Sequence, residues 1–148
     1  MEPIKTILVP VDFDAPSEAA LDTAIRFAKN LGAKITLLHV EPFRLGDVPE
    51  GVFYEGPNAS SRARATALVE LGKLAERKAT SGVAIGVELR EGIAYDEILG
   101  AARQLNAELI VMGTHGRSGI ARGLLGSVAE HVLRGSTVPV MTVRAPQP

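Results

Sequence analysis

Apolar positions along the chain alternate between two patterns. Short, β-branched, nearly continuous runs give way to longer stretches with apolar residues three and four apart, and the cycle repeats. Ile4-Lys5-Thr6-Ile7-Leu8-Val9-Pro10-Val11 reads as a buried strand that stops at Asp12. The next stretch brings Ala20, Leu21, Ala24, Ile25, Ala28 and Leu31 onto one helical face. Asp14 or Ser17 is placed to cap that helix, Pro16 suits its first turn, and Gly32 is placed to end it. Residues 34–40 form a second strand, closed by Glu41-Pro42. A helix is predicted over 60–80, with Ala67, Leu68, Leu71, Leu74 and Ala75 facing inward, and residues 83–89 make a third strand. The helix predicted over 93–105 turns Ile93, Ile98, Leu99 and Ala102 inward. Leu109-Ile110-Val111-Met112 is a fourth strand and residues 138–143 a fifth, with a short helix over 127–134 that Gly135 is placed to end.

Strands that alternate with helices imply parallel pairing through right-handed crossovers, with both faces of the sheet covered. The expectation is an α/β fold, one domain over residues 1–148, with no internal repeat or linker. Residues 42–58 break the rhythm: Pro42, Gly46, Pro49, Gly51, Gly56 and Pro57 predict a long loop, a length associated with function or mobility. Pro139 lacks a ladder donor and so places the fifth strand at a sheet edge.

Composition narrows the chemistry. With no cysteine among 148 residues, disulfide frameworks, cysteine zinc sites and thiol catalysis are excluded. No apolar run reaches the roughly 18 residues of a membrane span, and the N-terminus carries no signal-peptide pattern, so a cytoplasmic protein is expected. The net charge of −1 argues against a general nucleic-acid or membrane surface. That total hides an asymmetry. Between Leu109 and Ala129 there is no acid, while five of the chain's 15 glycines and His115, Arg117 and Arg122 fall inside.

This segment, Gly113-Thr114-His115-Gly116-Arg117-Ser118-Gly119-Ile120-Ala121-Arg122-Gly123-Leu124-Leu125-Gly126-Ser127, follows the fourth strand and opens a helix. Glycines let backbone amides approach phosphates closely, and a helix N-terminus favours anions. Neither the Walker pattern nor the dinucleotide G-x-G-x-x-G pattern is present. Ser127-Val128-Ala129-Glu130 also matches a capping box, so Ser127 as a cap and Ser127 as a phosphate ligand both stay open.

The spacing Gly113, two residues, Gly116, nine residues, Gly126-Ser127 resembles the motif of the ATP-binding branch of the universal stress protein family. The flanks resemble it too: residues 4–12, Leu37-Leu38-His39-Val40, Leu109 to Gly119, and the closing Val138-Pro139-Val140-Met141-Thr142-Val143-Arg144. The resemblance implies a single open, doubly wound five-stranded parallel sheet of order 3-2-1-4-5, Rossmann-like and akin to the adenine nucleotide alpha hydrolases. By position, it implies that Asp12 and the backbone of Pro10 and Val11 face the nucleoside and that Val40 holds the adenine edge. Gly113, His115 and Gly116 would line the ribose and phosphates, Gly126, Ser127 and Val128 would bind phosphate oxygens, and Met112 and Arg117 complete the implied set of nucleotide-binding residues. ATP is the implied ligand, with Mg²⁺ as an optional companion that no cluster of protein ligands requires. A homodimer through the strand at 138–143 is implied as well, together with an unidentified protein partner. One departure stands out: Asn106-Ala107-Glu108 replaces the Ala-Asp that often precedes the fourth strand in this family.

Single residues have plainer readings. Asp12 serves equally as a turn residue, His39 as a structural group ending a buried strand, and His131 as a helix-surface group. Arg117 and Arg122 are surface charges or phosphate screens. Asp12 and Asp14 together are weak evidence for a metal. The leading reading is a nucleotide-dependent stress-response binding module. A slow ATP hydrolase or nucleotidyl transferase on the same site is the alternative, with His115, Asp12 and Arg117 as its candidate groups.

Overall fold

The β-branched runs and the helical faces pack into one parallel sheet with helices on both sides, in a computed structural model that describes residues 2–42, 56–114 and 124–146. In chain order the elements are β1 (Thr6–Pro10), α1 (Ala15–Leu31), β2 (Lys34–Glu41), α2 (Gly56–Lys78), a 3-10 turn (Ala79–Ser81), β3 (Ile85–Glu91), α3 (Ala94–Gln104), β4 (Leu109–Gly113), α4 (Ser127–Gly135) and β5 (Val140–Val143). The strand order is β3-β2-β1-β4-β5, and every pairing is parallel.

Period-two alternation divides the strand side chains between two cores. Ile7, Val9, Ile35, Leu37, Leu109 and Val111 pack with Ala20, Leu21, Ala24 and Ala28 of α1 and Leu71 and Leu74 of α2. Leu8, Leu38, Ile110 and Met112 point the other way, onto Ile98, Ala101 and Ala102 of α3 and Ala129 and Val132 of α4. Central strands buried on both faces explain their continuous apolar sequence. β3 differs: as an edge strand it is half exposed, with Gly86 and Val87 open to solvent.

The ends of α1 follow the expected chemistry. The Asp14 carboxylate accepts from the Ser17 amide at 2.9 Å, Pro16 sits in the first turn, and Gly32 closes the helix with φ 69°. Elsewhere the helical readings shift. Ile93 is the extended N-cap of α3 and is exposed rather than inward. Leu31 lies on the last turn of α1 and Leu68 on the flank of α2, both exposed, because the buried stripe runs through Ala28 and through Ala67, Leu71 and Leu74. Gly135 does not supply a left-handed cap. It is the last residue of α4, and Leu99 Cδ1 lies 2.7 Å from where its Cβ would stand, so the glycine serves the close approach of α3 and α4. β5 begins at Val140, two residues later than expected, and the Pro139 carbonyl accepts from the Ile110 amide at 3.0 Å. Its edge position matches the proline argument.

The departure before β4 has a structural use. Asn106 adopts φ 52°, a conformation asparagine tolerates, and turns the chain out of α3. One Glu108 carboxylate oxygen then accepts from the Lys5 amide at 2.8 Å and the Thr6 amide at 2.7 Å, while the Glu108 amide donates to the Thr6 carbonyl. Those two backbone hydrogen bonds, Lys5 first, hold the Glu108 carboxyl below its ordinary pKa. A depressed folded-state pKa adds stability above the unfolded value, and that stability fades as pH falls through the folded value. Glu108→Gln should therefore lower Tm at neutral pH, with the gap to wild type closing on acidification below the ordinary carboxylate range. A pH series of thermal melts reads this out, and a gap independent of pH would contradict the assignment.

Candidate functional site

Strand order reverses between β1 and β4, since the chain moves outward through β2 and β3 before returning to lay β4 against the other side of β1. Diverging loops at such a switch point leave a crevice beyond the carboxyl ends of the strands. A cavity of about 150 Å³ occupies this place. Two other clefts, of about 200 and 430 Å³, lie away from it, one between the C-terminal parts of α3 and α4 and one beside Phe13 and α2.

The cavity wall gathers most of the residues singled out from the sequence. Pro10, Val11 and Asp12 come from the end of β1, Val40 from β2, Met112 and Gly113 from β4, and Gly126, Ser127 and Val128 from the start of α4. His115, Gly116 and Arg117 lie outside the described residues, as does Arg122. The wall also contains residues that the sequence did not assign to a ligand: Ser17 of α1, Leu38 and His39 of β2, Ala94 and Ile98 of α3, Thr114 and Ala129. Periodicity had assigned Ile98 to the core, and it serves both, because α3 covers the sheet next to the cavity. No spacing rule signals Ala94, whose place at the wall depends on how α3 docks.

Polar groups at the β1 end are linked to one another. Ser17 Oγ lies 2.8 Å from Asp14 Oδ1 and 3.2 Å from Asp12 Oδ1, and it accepts from the Asp12 amide at 3.3 Å. One hydroxyl hydrogen serves one of these acceptors at a time, and the shorter distance favours Asp14. Asp12 is thus held near the N-terminus of α1 and against the cavity. Beyond it, Phe13 has φ 65°, an unusual conformation for a bulky residue, and its ring lies 4.8 Å from the His39 ring.

Three helices border the cavity with their first turns, and they differ in what their amides face. α1 is capped by the Asp14 side chain. α3 has no side-chain cap, but Asp96 and Glu97 sit in its first turn and disfavour an anion. α4 begins at Ser127 behind Gly126, which is buried, extended and without a side-chain cap bond, so Ser127 is the first helical residue rather than the cap. The capping-box reading of Ser127 is corrected accordingly: Gly126 takes the cap position, its amide donating to the Thr114 carbonyl at 2.6 Å. The single acid in the first turn of α4, Glu130, pairs with Arg134 at 2.8 Å. Among these helices, α4 offers the most favourable N-terminus for negative charge.

Glycine at 113 has a structural cause. A Cβ there would stand 2.8 Å from Pro16 Cβ and 2.9 Å from the Pro16 carbonyl carbon, so α1 and β4 meet where only glycine fits. His39 is buried, and His131 stacks on Tyr95 with ring centroids 4.5 Å apart while facing the Ser127 carbonyl. Among the described residues, no group of three or more His, Asp or Glu side chains is arranged for a metal, and no helix is long and apolar enough to cross a membrane.

Comparison with known proteins agrees with this architecture. Residues 3–144 match the model of the Universal stress protein family. Universal stress protein MJ0531 of Methanocaldococcus jannaschii is 36% identical over 146 residues, which span 97% of this chain and 84% of that protein. The solved structure of MJ0577, from the same organism, superposes with a TM-score of 0.85 at 26% identity, covering 99% of this chain and 100% of that one. A universal stress protein solved in complex with cAMP superposes with a TM-score of 0.68 at 25% identity, covering 98% of this chain and 100% of its own. The doubly wound sheet, the strand order and the family match over nearly the whole length lead to one conclusion: the chain belongs to the universal stress protein family.

Proposed function

We propose that this chain binds an adenine nucleotide, ATP in its principal form, and acts as a nucleotide-dependent stress-response module. One observation carries the reading: the cavity at the β1/β4 switch point is bordered by the N-terminus of α4, which has no side-chain cap. A structure of a similar universal stress protein holding cAMP supports the nucleotide class. The cavity is smaller than the roughly 300–1,000 Å³ usual for drug-sized ligands, so it suits one ring system and leaves the polyanionic end to the rim. In this arrangement Leu38, Val40, Ile98 and Met112 flank the base, Asp12 meets the sugar, and the amides of Ser127 and Val128 meet phosphate. Mg²⁺ would enter with the triphosphate rather than on a protein cage.

Isothermal titration with ATP, AMP and adenosine tests the reading. Saturable heat with ATP is expected, with affinity decreasing as phosphates are removed. No binding at millimolar ATP would overturn it. A homodimer through β5 belongs to the same proposal, because an apolar edge strand is an aggregation hazard unless paired. Sedimentation equilibrium should give twice the chain mass, and a monomer at every concentration would remove the dimer.

A further inference from the structure

The parallel ladder between β1 and β2 has an open last rung, and a side chain accounts for it. On β2, alternate amides turn to opposite neighbours: the Lys34 amide donates to Lys5 just before β1, and the Ile35 amide donates to Ala84 beside β3. By the same alternation the Val40 amide faces the β1 side. The Val11 amide donates to the Leu38 carbonyl at 2.8 Å, so the next rung would run from the Val40 amide to the Val11 carbonyl. None of the described backbone bonds closes it. The Val11 carbonyl instead meets His39 Nδ1 at 2.8 Å. A carbonyl only accepts, so Nδ1 carries the hydrogen.

His39 is well placed for this substitution. It is 8% exposed, with Nε2 3.1 Å from Glu41 Oε1 and the Phe13 ring against its own. One imidazole thus holds the residues on both sides of Asp12, the carbonyl of Val11 and the ring of Phe13. We propose that His39 is a positioning residue of the pocket: it takes the Val11 carbonyl out of the ladder and so keeps the Val40 amide turned to the cavity, at the place that the family resemblance already gives to the adenine edge. The ligand part of this inference rests on the nucleotide reading above. The ladder part stands on the protein alone.

Two variants separate the hydrogen bond from the ring. His39→Phe keeps an aromatic ring beside Phe13 but loses the donor, whereas His39→Asn places an amide donor near the position of Nδ1. Adenosine affinity is expected to fall about tenfold in His39→Phe, a change worth roughly 1.4 kcal/mol, and to recover in His39→Asn. Affinity for inorganic tripolyphosphate, which has no base, should be the same in all three proteins. Equal adenosine affinity in wild type and His39→Phe, or equal losses in both variants, would overturn the proposal.

Hydrogen exchange in the ligand-free protein tests the ladder without any nucleotide. The Val40 amide should exchange faster than its neighbour Leu38 in wild type and become protected in His39→Phe as the rung closes. A Val40 amide already as protected as Leu38 in wild type would overturn the inference. This measurement and the nitrogen spectrum of His39, which should show a protonated Nδ1, need only the wild-type protein, so they decide even if a variant fails to fold. Should adenosine and ATP both fail to bind wild type while the exchange pattern holds, the nucleotide reading falls and the role of His39 in the ladder remains.

Discussion

Replacing Asp12 with alanine should weaken adenosine and ATP binding by about 10–100-fold, since a hydrogen bond to a charged group contributes roughly 1.5–3 kcal/mol. The carboxylate stands two residues beyond the end of β1, lines the cavity, and is held near Ser17. A charged acceptor at that position suits a sugar hydroxyl and would repel phosphate, so the loss should be shared by adenosine and ATP. Tripolyphosphate should bind the variant as well as wild type, or better, because a negative charge has been removed. Titration calorimetry with the three ligands distinguishes these cases. An Asp12→Ala protein that binds adenosine as wild type does would place the sugar elsewhere.

The second large effect is on stability. Gly113→Ala should cost about 1–3 kcal/mol, the usual range for an added carbon in a filled space. The new Cβ would meet both the ring and the backbone of Pro16, and the backbone cannot rotate aside as a flexible side chain can. At about 2–4 °C per kcal/mol for a chain of this size, Tm should fall measurably. Nucleotide affinity should fall as well, because moving the first turn of α1 disturbs Asp14 and Ser17 and, through them, Asp12. Loss of affinity at an unchanged Tm would mean that this glycine serves the ligand alone. Thermal melts and titrations on the same preparation settle which it is.

These two positions show how far the candidate site was legible before the structure. Asp12 stands out because a buried apolar run ends on a carboxylate, and strand ends are where α/β sheets place ligands. Gly113 belongs to a glycine-rich segment whose composition points toward phosphate, whereas its immediate cause is α1 passing overhead. Ser127 shows the same limit. A four-residue pattern matched a capping box, but the helix begins one residue earlier in capping terms, with Gly126 at the cap. Local patterns identify residue types suited to a task. They do not tell which neighbour arrives to use them.

His39 illustrates the limit from the other direction. The sequence marks it as a structural polar residue ending a buried strand, inside a flank that resembles the family. Its two partners, the Val11 carbonyl and the Glu41 carboxylate, come from a neighbouring strand end and from two residues further along its own.

The sequence alone determined the element order, the parallel character of the sheet, the Gly32 end of α1, the choice of Asp14 or Ser17 for its start, and the edge position of β5. Each follows from periodicity, β-branching, a capping side chain or a proline without a donor, all of which act within a few residues of chain. The family motif, read from spacing, pointed to the same fold. Only the tertiary structure decided which strand ends enclose the cavity with α3, why glycine is required at 113 and 135, and how Glu108 joins β4 to β1. It also decided that an imidazole occupies the last rung of the β1–β2 ladder. Those features depend on contacts between residues far apart in the chain, and the packing of whole elements sets such contacts rather than any local preference.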